Sequence, residues 1–267
     1  MTAGDSAGDR LDTSVPHSAR VWNYWLGGKD NYAADRVAGA EYARVFPGVT
    51  HLARASRAFL ARTVGYLAGE VGLRQFLDIG TGLPTADNTH EVAQGLAPES
   101  RIVYVDNDPL VLLHAQALLT STPEGTTDYI EADLRDPENI LGRARGILDF
   151  SQPVALMLMG ILGHVADYTE ARSIVQRLVA ALPPGSYLVI NDGTNVVSEG
   201  GAAAQEQYNE SGAVPYLQRS PQEIGGFFEG LDPVDPGLVS ITQWRPEPNV
   251  FGTPPEVDGY GAVARKP

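Results

Sequence analysis

Apolar residues change their spacing along the chain, and that change divides it into regions. From Pro16 to about Gly72 they recur at helical intervals: Val21, Trp22, Trp25 and Leu26 share one face, and Ala58, Phe59, Leu60, Val64, Leu67 and Val71 share another. Gly27-Gly28 and Pro47-Gly48 break this stretch into short helices. Beyond it, short apolar runs alternate with amphipathic stretches. The runs predict strands over 75–79, 101–105, 129–132, 154–159 and 186–191, with helices near 88–96, 110–119 and 169–182 between them. Asp108-Pro109 and Asp136-Pro137 each set a capping carboxylate before a proline at a first helical position. Ser220 and Glu223 form a capping box that opens a further helix through Phe228. Runs over 237–244 and 259–264 predict two closing strands joined by a Pro-rich loop.

Strands that alternate with helices imply a parallel sheet whose inner strands are apolar on both faces. The expected fold is therefore α/β: Rossmann-like and doubly wound, with a mainly parallel seven-stranded sheet, an antiparallel closing strand and an N-terminal helical cap. Three regions follow, namely a disordered tail over 1–15, a helical cap or lid over 16–72, and a core over 73–267. The tail is rich in Gly, Ala, Ser and Asp. A chain of 267 residues suits one such core with a modest appendage.

Composition narrows the functions. The formal net charge of −14, from 33 acidic and 19 basic residues, repels phosphate backbones and anionic membrane surfaces, so neither nucleic acid nor a membrane is an expected partner. There is no cysteine, hence no disulfide, no thiolate metal site and no cysteine nucleophile. No apolar run approaches the roughly 20 residues of a membrane span, and the first residues lack the pattern of a secretory signal. A cytoplasmic location is expected. His17, His51, His90, His114 and His164 show no metal-ligand spacing, and no metal is expected. Nothing in the chain specifies an oligomeric state.

Candidate chemistry gathers at the ends of the first three strands. After Ile79 comes Gly80-Thr81-Gly82-Leu83-Pro84-Thr85, where two glycines let the backbone approach a ligand closely. The same glycines would also serve a plain tight turn, so position decides. About two dozen residues on, the second strand ends in Asp106-Asn107-Asp108; an acid there can accept both hydroxyls of a ribose. Asp108 reads as the helix cap, which leaves Asp106 for the ribose. The third strand ends near Asp133-Leu134, a carboxylate and an apolar neighbour suited to an adenine amino group and ring. Three such sites on consecutive strand ends point to an adenosyl ligand. Thr85 stands where a dinucleotide fingerprint has its third glycine, which argues against a pyrophosphate.

Here the chain resembles the class I SAM-dependent methyltransferases, through Leu77-Asp78-Ile79-Gly80-Thr81-Gly82 and over about 75–191. More narrowly, His17-Ser18-Ala19-Arg20-Val21-Trp22-Asn23-Tyr24-Trp25-Leu26-Gly27-Gly28-Lys29-Asp30-Asn31-Tyr32 with Asp35-Arg36, joined to 76–85, resembles a family of candidate S-adenosyl methyltransferases of unassigned substrate. The resemblance implies S-adenosyl-L-methionine (SAM) as cofactor. It implies that Asp78, Gly80, Thr81 and Gly82 surround the methionine moiety, Asp106 with Asn107 the ribose, and Asp133 with Leu134 the adenine. Met159 and Gly160 would then sit beside the sulfonium.

The acceptor is expected to be a small molecule. The loop Leu26 to Tyr32 combines a flexible turn, a cation and a carboxamide, as a ligand-covering lid would; Tyr24, Lys29, Asp30 and Asn31 are its candidate contacts. Trp22 and Trp25, at i and i+3, read as helix-packing residues rather than a substrate cage. His164, just past the fourth strand on the cofactor side, is the candidate general base, against a purely structural role. The acceptor pocket is expected from 22–36 and 191–216. Two other readings stay open: a SAM- or S-adenosylhomocysteine-binding module without turnover, and a NAD-dependent oxidoreductase, which Thr85 disfavours.

Overall fold

In a computed structural model of the chain, residues 11–85, 87–118, 120–248 and 252–267 are described. Residues 1–10 of the expected tail lie outside them. In its remainder, the carbonyls of Asp12 and Val15 accept hydrogen bonds from the Arg20 guanidinium at 3.0 and 3.3 Å.

Five strands form the parallel part of the sheet: β1 (Gln75–Ile79), β2 (Arg101–Asp106), β3 (Thr126–Glu131), β4 (Ala155–Met159) and β5 (Tyr187–Gly193). They are joined by two dipeptide strands, β6 (Asp232–Pro233) and β7 (Val239–Ser240), and by β8 (Gly259–Arg265). The order is β3-β2-β1-β4-β5-β8-β6, with β7 also pairing with β8. β8 runs antiparallel to β5, from Tyr187↔Arg265 to Gly193↔Gly259. The sheet thus has eight strands rather than seven. The extra strand is β6, which pairs Asp232 with Arg265 and Pro233 with Ala264, while of the expected strand 237–244 only Val239 and Ser240 pair. The chain then turns inward, because Arg62 captures the carbonyls of Ile241 and Trp244 and the Trp244 ring packs edge-on against Phe59 and Tyr66.

The period of two along the inner strands sends alternate side chains to opposite faces. Leu77, Ile79, Val103, Val105, Leu156 and Leu158 meet α6 (Pro137–Ala144), α7 (Tyr168–Ala180) and α9 (Pro221–Gly226) on one face. Phe76, Ile102, Tyr104, Ala155, Met157 and Val189 meet α3 (Val49–Gly65), the π-helical turn Tyr66–Val71 and α4 (Thr89–Leu96) on the other. Each fully buried aliphatic side chain contributes about 1.5 to 3 kcal/mol, so these two layers dominate stability. α5 (Pro109–Leu118) follows β2, and Asp108 caps it by accepting from the Leu110 N–H at 2.9 Å.

α3 and the π-helical turn, expected within the cap ending at residue 72, therefore pack on the sheet itself. What projects over the strand ends is α1 (Ser18–Trp25) and α2 (Ala33–Val45), backed by α8 (Gly200–Asn209), a helix absent from the sequence reading. Buried charges tie this unit down. Asp35 accepts the backbone N–H of His17 and of Tyr32 at 2.9 and 2.8 Å, and Arg20 Nε lies 3.7 Å from Asp35 and 3.6 Å from Asp108. His17 Nδ1 is 3.0 Å from the same Asp108 carboxylate, so the helix cap after β2 also anchors α1. Among the described residues no helix is long and apolar enough to cross a membrane.

Candidate functional site

The strand order reverses between β1 and β4, and a cleft of ≈ 1150 Å³, counted to its open mouth, lies beyond the carboxyl ends of β1 to β4. Open α/β sheets hold ligands at such a switch point. Gly80 starts the first wall. Its φ of +77° is left-handed, and a Cβ there would stand 2.6 Å from the Ile161 side chain, so glycine alone fits. Gly160, after β4, has φ +68°, and the space beside its α-carbon is open; any side chain there would project into the cleft.

Asp106 links two walls. Its Oδ2 accepts the Gly82 N–H at 2.8 Å and its Oδ1 the Asp108 N–H at 3.0 Å. Burial pushes its pKa up, against these two bonds and the nearby His17. A carboxylate has about four lone-pair sites, so two remain for a ligand. On the third wall Asp133 is held at Oδ1 by the Arg135 N–H at 2.8 Å and receives Asn107 Nδ2 at 3.4 Å, with Leu134 buried beside it.

Thus Gly80, Thr81, Gly82, Asp106, Asn107, Asp133, Leu134, Met159 and Gly160 line one cleft, and His164 lines it too. Asp78 does not. It is 2% exposed and lies beneath the glycine turn, where it accepts the Thr89 hydroxyl at 2.7 Å; period two along β1 turns it toward α3 and α4. Burial raises its pKa to about 6.

The loop candidates are not brought to the cleft either. Tyr24 packs on Gly39 of α2, Lys29 is exposed, and Asp30 pairs with His114 at 3.0 Å. Asn31 donates to the Asn23 side chain and the Gly28 carbonyl at 2.9 and 3.0 Å, so its carboxamide shapes its own loop. From this region it is His17, Ser18, Ala19, Trp22 and Leu26 that line the cleft. Arg57, on α3, brings a cation to it; its Nη2 donates to the Asp87 carbonyl at 3.0 Å.

A second, inner cavity of ≈ 710 Å³ adjoins the cleft. Trp22 and Trp25, read from the sequence as packing residues, both line it, with Tyr42, Tyr208 and Tyr216. Five residues belong to both spaces: Ser18, Trp22, Ser56, Gly160 and His164. At this junction His164 Nδ1 donates to the Pro215 carbonyl at 3.0 Å, which leaves Nε2 with its lone pair in the neutral ring. Burial above all lowers its pKa, against the Pro215 bond, and nearby His17 and Arg135 act with burial. Ser56 could have been flagged from sequence, since it shares the apolar side of α3 with Leu52 and Phe59. Tyr42, Gln205 and Asp258 carry no such local signal.

No curated protein sequence matches the chain. Among solved structures, a DUF574 family protein from Streptomyces avermitilis is 46% identical, with a TM-score of 0.92 over 96% of this chain and 99% of its own. A candidate methyltransferase from Thermobifida fusca is 40% identical, with a TM-score of 0.88 over 96% and 97%. A SAM-dependent methyltransferase from Anabaena variabilis, 14% identical with a TM-score of 0.51 over 77% and 84%, shares the fold. Residues 4–267 match the S-adenosyl methyltransferase family. The chain belongs to that family, and S-adenosyl-L-methionine is its methyl donor.

Proposed function

We propose that the chain methylates a small-molecule acceptor seated in the inner cavity, with the outer cleft holding SAM. The junction carries this reading: two adjoining spaces, one walled by three strand ends and one by aromatic rings, meet at Gly160 and His164. The aromatic walls of the inner cavity suit a small apolar molecule, and a chain of net charge −14 repels polyanionic acceptors. The cytoplasm is the proposed compartment, which a cysteine-free chain suits.

In the outer cleft the residues present fit the donor. Gly80, Gly82 and Gly160 keep side chains out of the way, and Asp106 retains acceptor sites for ribose hydroxyls. Asp133 and Leu134 would flank the adenine, Met159 and Gly160 the sulfonium end, and Arg57 the methionine carboxylate. Asp78 acts indirectly, holding Thr89 and with it the start of α4 beneath the glycine turn. SAM supplies a methyl group on a sulfonium, transferred by in-line displacement. The protein aligns the acceptor, excludes water and takes a proton where the acceptor carries one. His164 Nε2 is the group proposed for that proton. α1 and α2, held down through Asp35 and Asp108, form the proposed cover, and the loop residues Tyr24, Lys29, Asp30 and Asn31 shape it rather than touch substrate.

Isothermal titration tests the donor site. SAM is expected to bind, and Asp106→Ala to weaken it at least about tenfold, the worth of one charge-assisted hydrogen bond. Absence of binding at millimolar SAM would sink the proposal, and unchanged affinity in the variant would remove Asp106 from the ribose.

A further inference from the structure

The inner cavity is charged with one sign. Asp192 and Asp258, both almost fully buried, line it, and among the described residues no lysine or arginine does. Asp192 is served from within the chain: Tyr216 donates its hydroxyl to Oδ1, and Arg219 Nη1 lies 3.6 Å from Oδ2. Asp258 is not. Its Oδ1 accepts the Val197 N–H at 2.8 Å and the Thr194 hydroxyl at 3.5 Å, whereas its Oδ2 has no hydrogen-bond partner, and among the described residues no basic side chain pairs with it. The side-chain oxygens of Asn191 and Tyr208, on the same cavity, also lack partners.

A carboxylate that is 1% exposed and unpaired is costly, and a ligand bearing a positive charge and N–H donors relieves that cost. The remaining walls favour the same ligand. Trp22, Trp25 and Tyr42 present ring surface, and indole and phenol faces attract cations as well as apolar groups. An anionic acceptor would meet the Asp258 carboxylate, with no lysine or arginine among the described residues on the cavity wall to offset it.

Resting on the inner cavity as the acceptor site, we propose that the acceptor is an apolar or aromatic small molecule carrying a protonated amine, which Asp258 binds as an ion pair. Position assigns the amine its part. Asp258 immediately precedes β8, whose Gly259 pairs with Gly193 of β5, and β5 in turn neighbours β4, which leads into Gly160. Two strand spacings, about 10 Å across the sheet, separate the backbone at Asp258 from that at Gly160. The ammonium is the anchor at the far end, and a different atom of the acceptor faces Gly160 and His164.

Matched probes test this on the full chain saturated with S-adenosylhomocysteine: tryptamine, tryptophol and indole-3-acetate, and the corresponding phenyl series, each titrated calorimetrically. The amines are expected to bind at least about tenfold more tightly than the alcohols, and the carboxylates not at all. Asp258→Asn is expected to bring the amines down to the alcohols, with S-adenosylhomocysteine titration confirming that the variant is folded. Alcohols or carboxylates matching the amines, no binding by any probe, or an amine preference that survives Asp258→Asn would overturn the proposal. Leu52→Trp, which fills the inner cavity, separates the two readings. If it leaves probe binding unchanged, the cavity is not the acceptor site; if it abolishes binding that shows no amine preference, the cavity stands and the amine falls.

Discussion

Asp78 offers a quantitative test of how the glycine turn is supported. Its carboxyl lies in the middle of β1 with one oxygen bonded to Thr89 and the other without a partner. Burial lifts its pKa from 3.8 to about 6, while the Thr89 bond and the attraction of Arg57 act the other way and Asp106 adds repulsion. A raised pKa means the folded chain binds the proton more tightly than the unfolded chain. The stability this group contributes is therefore complete below pH 3.8 and is lost as pH rises through about 6. At 1.36 kcal/mol per pH unit, the whole loss is about 3 kcal/mol, of which roughly half falls between pH 5 and 8. Asp78→Asn keeps the shape and an acceptor for Thr89, and its amide does not titrate. The variant should gain on the wild type by roughly half of that loss across this range, over a constant offset of about 1 to 3 kcal/mol for a buried NH2 group with no acceptor. Guanidinium unfolding of both proteins at pH 5, 6, 7 and 8 measures the difference. A difference that stays flat with pH, or that shrinks as pH rises, would refute the argument.

Gly160→Ala should cost about 1 to 2 kcal/mol of fold stability for a left-handed alanine and, because the new Cβ enters the junction, should weaken S-adenosylhomocysteine binding at least about tenfold. Calorimetry beside a thermal melt separates the two effects, and unchanged affinity would show that Gly160 does not face the ligand. For His164, a nitrogen-detected NMR titration should place the proton on Nδ1 and the midpoint below 6.5, since burial disfavours the charged ring. A proton on Nε2 would remove the ring as a base, and a midpoint above 6.5 would refute the argument from burial.

The strands and the residues that line the outer cleft were legible because their causes are local. A parallel strand buried on both faces must be a continuous apolar run, as 155–159 is, and the glycines and acids that follow such runs fall at strand ends wherever the helices go. Asp108 and Ser220 announced their helices by the same logic, a side chain serving nearby N–H groups. Other elements gave little local signal. α8 is built on Gly200 to Ala204, small residues without a strong apolar stripe. The short pairing at Val239 and Ser240 depends on Arg62, far away in the chain. The lid candidates Lys29, Asp30 and Asn31 had suitable chemistry, yet the direction in which the loop turns them is set by Asn23, Gly28 and His114.

The sequence by itself thus determined the fold class and the donor, since each depends on residues close together in the chain. Tertiary structure alone decided the inner cavity. It draws Trp22 from α1, Tyr42 from α2, Ser56 from α3, Tyr208 from α8 and Asp258 from the start of β8, and no periodicity links them. Whether a buried acid is a cap, an anchor or a binding site depends on what stands opposite its second oxygen. For Asp108 that is His17, whereas Asp258, which lines the inner cavity, has no partner there.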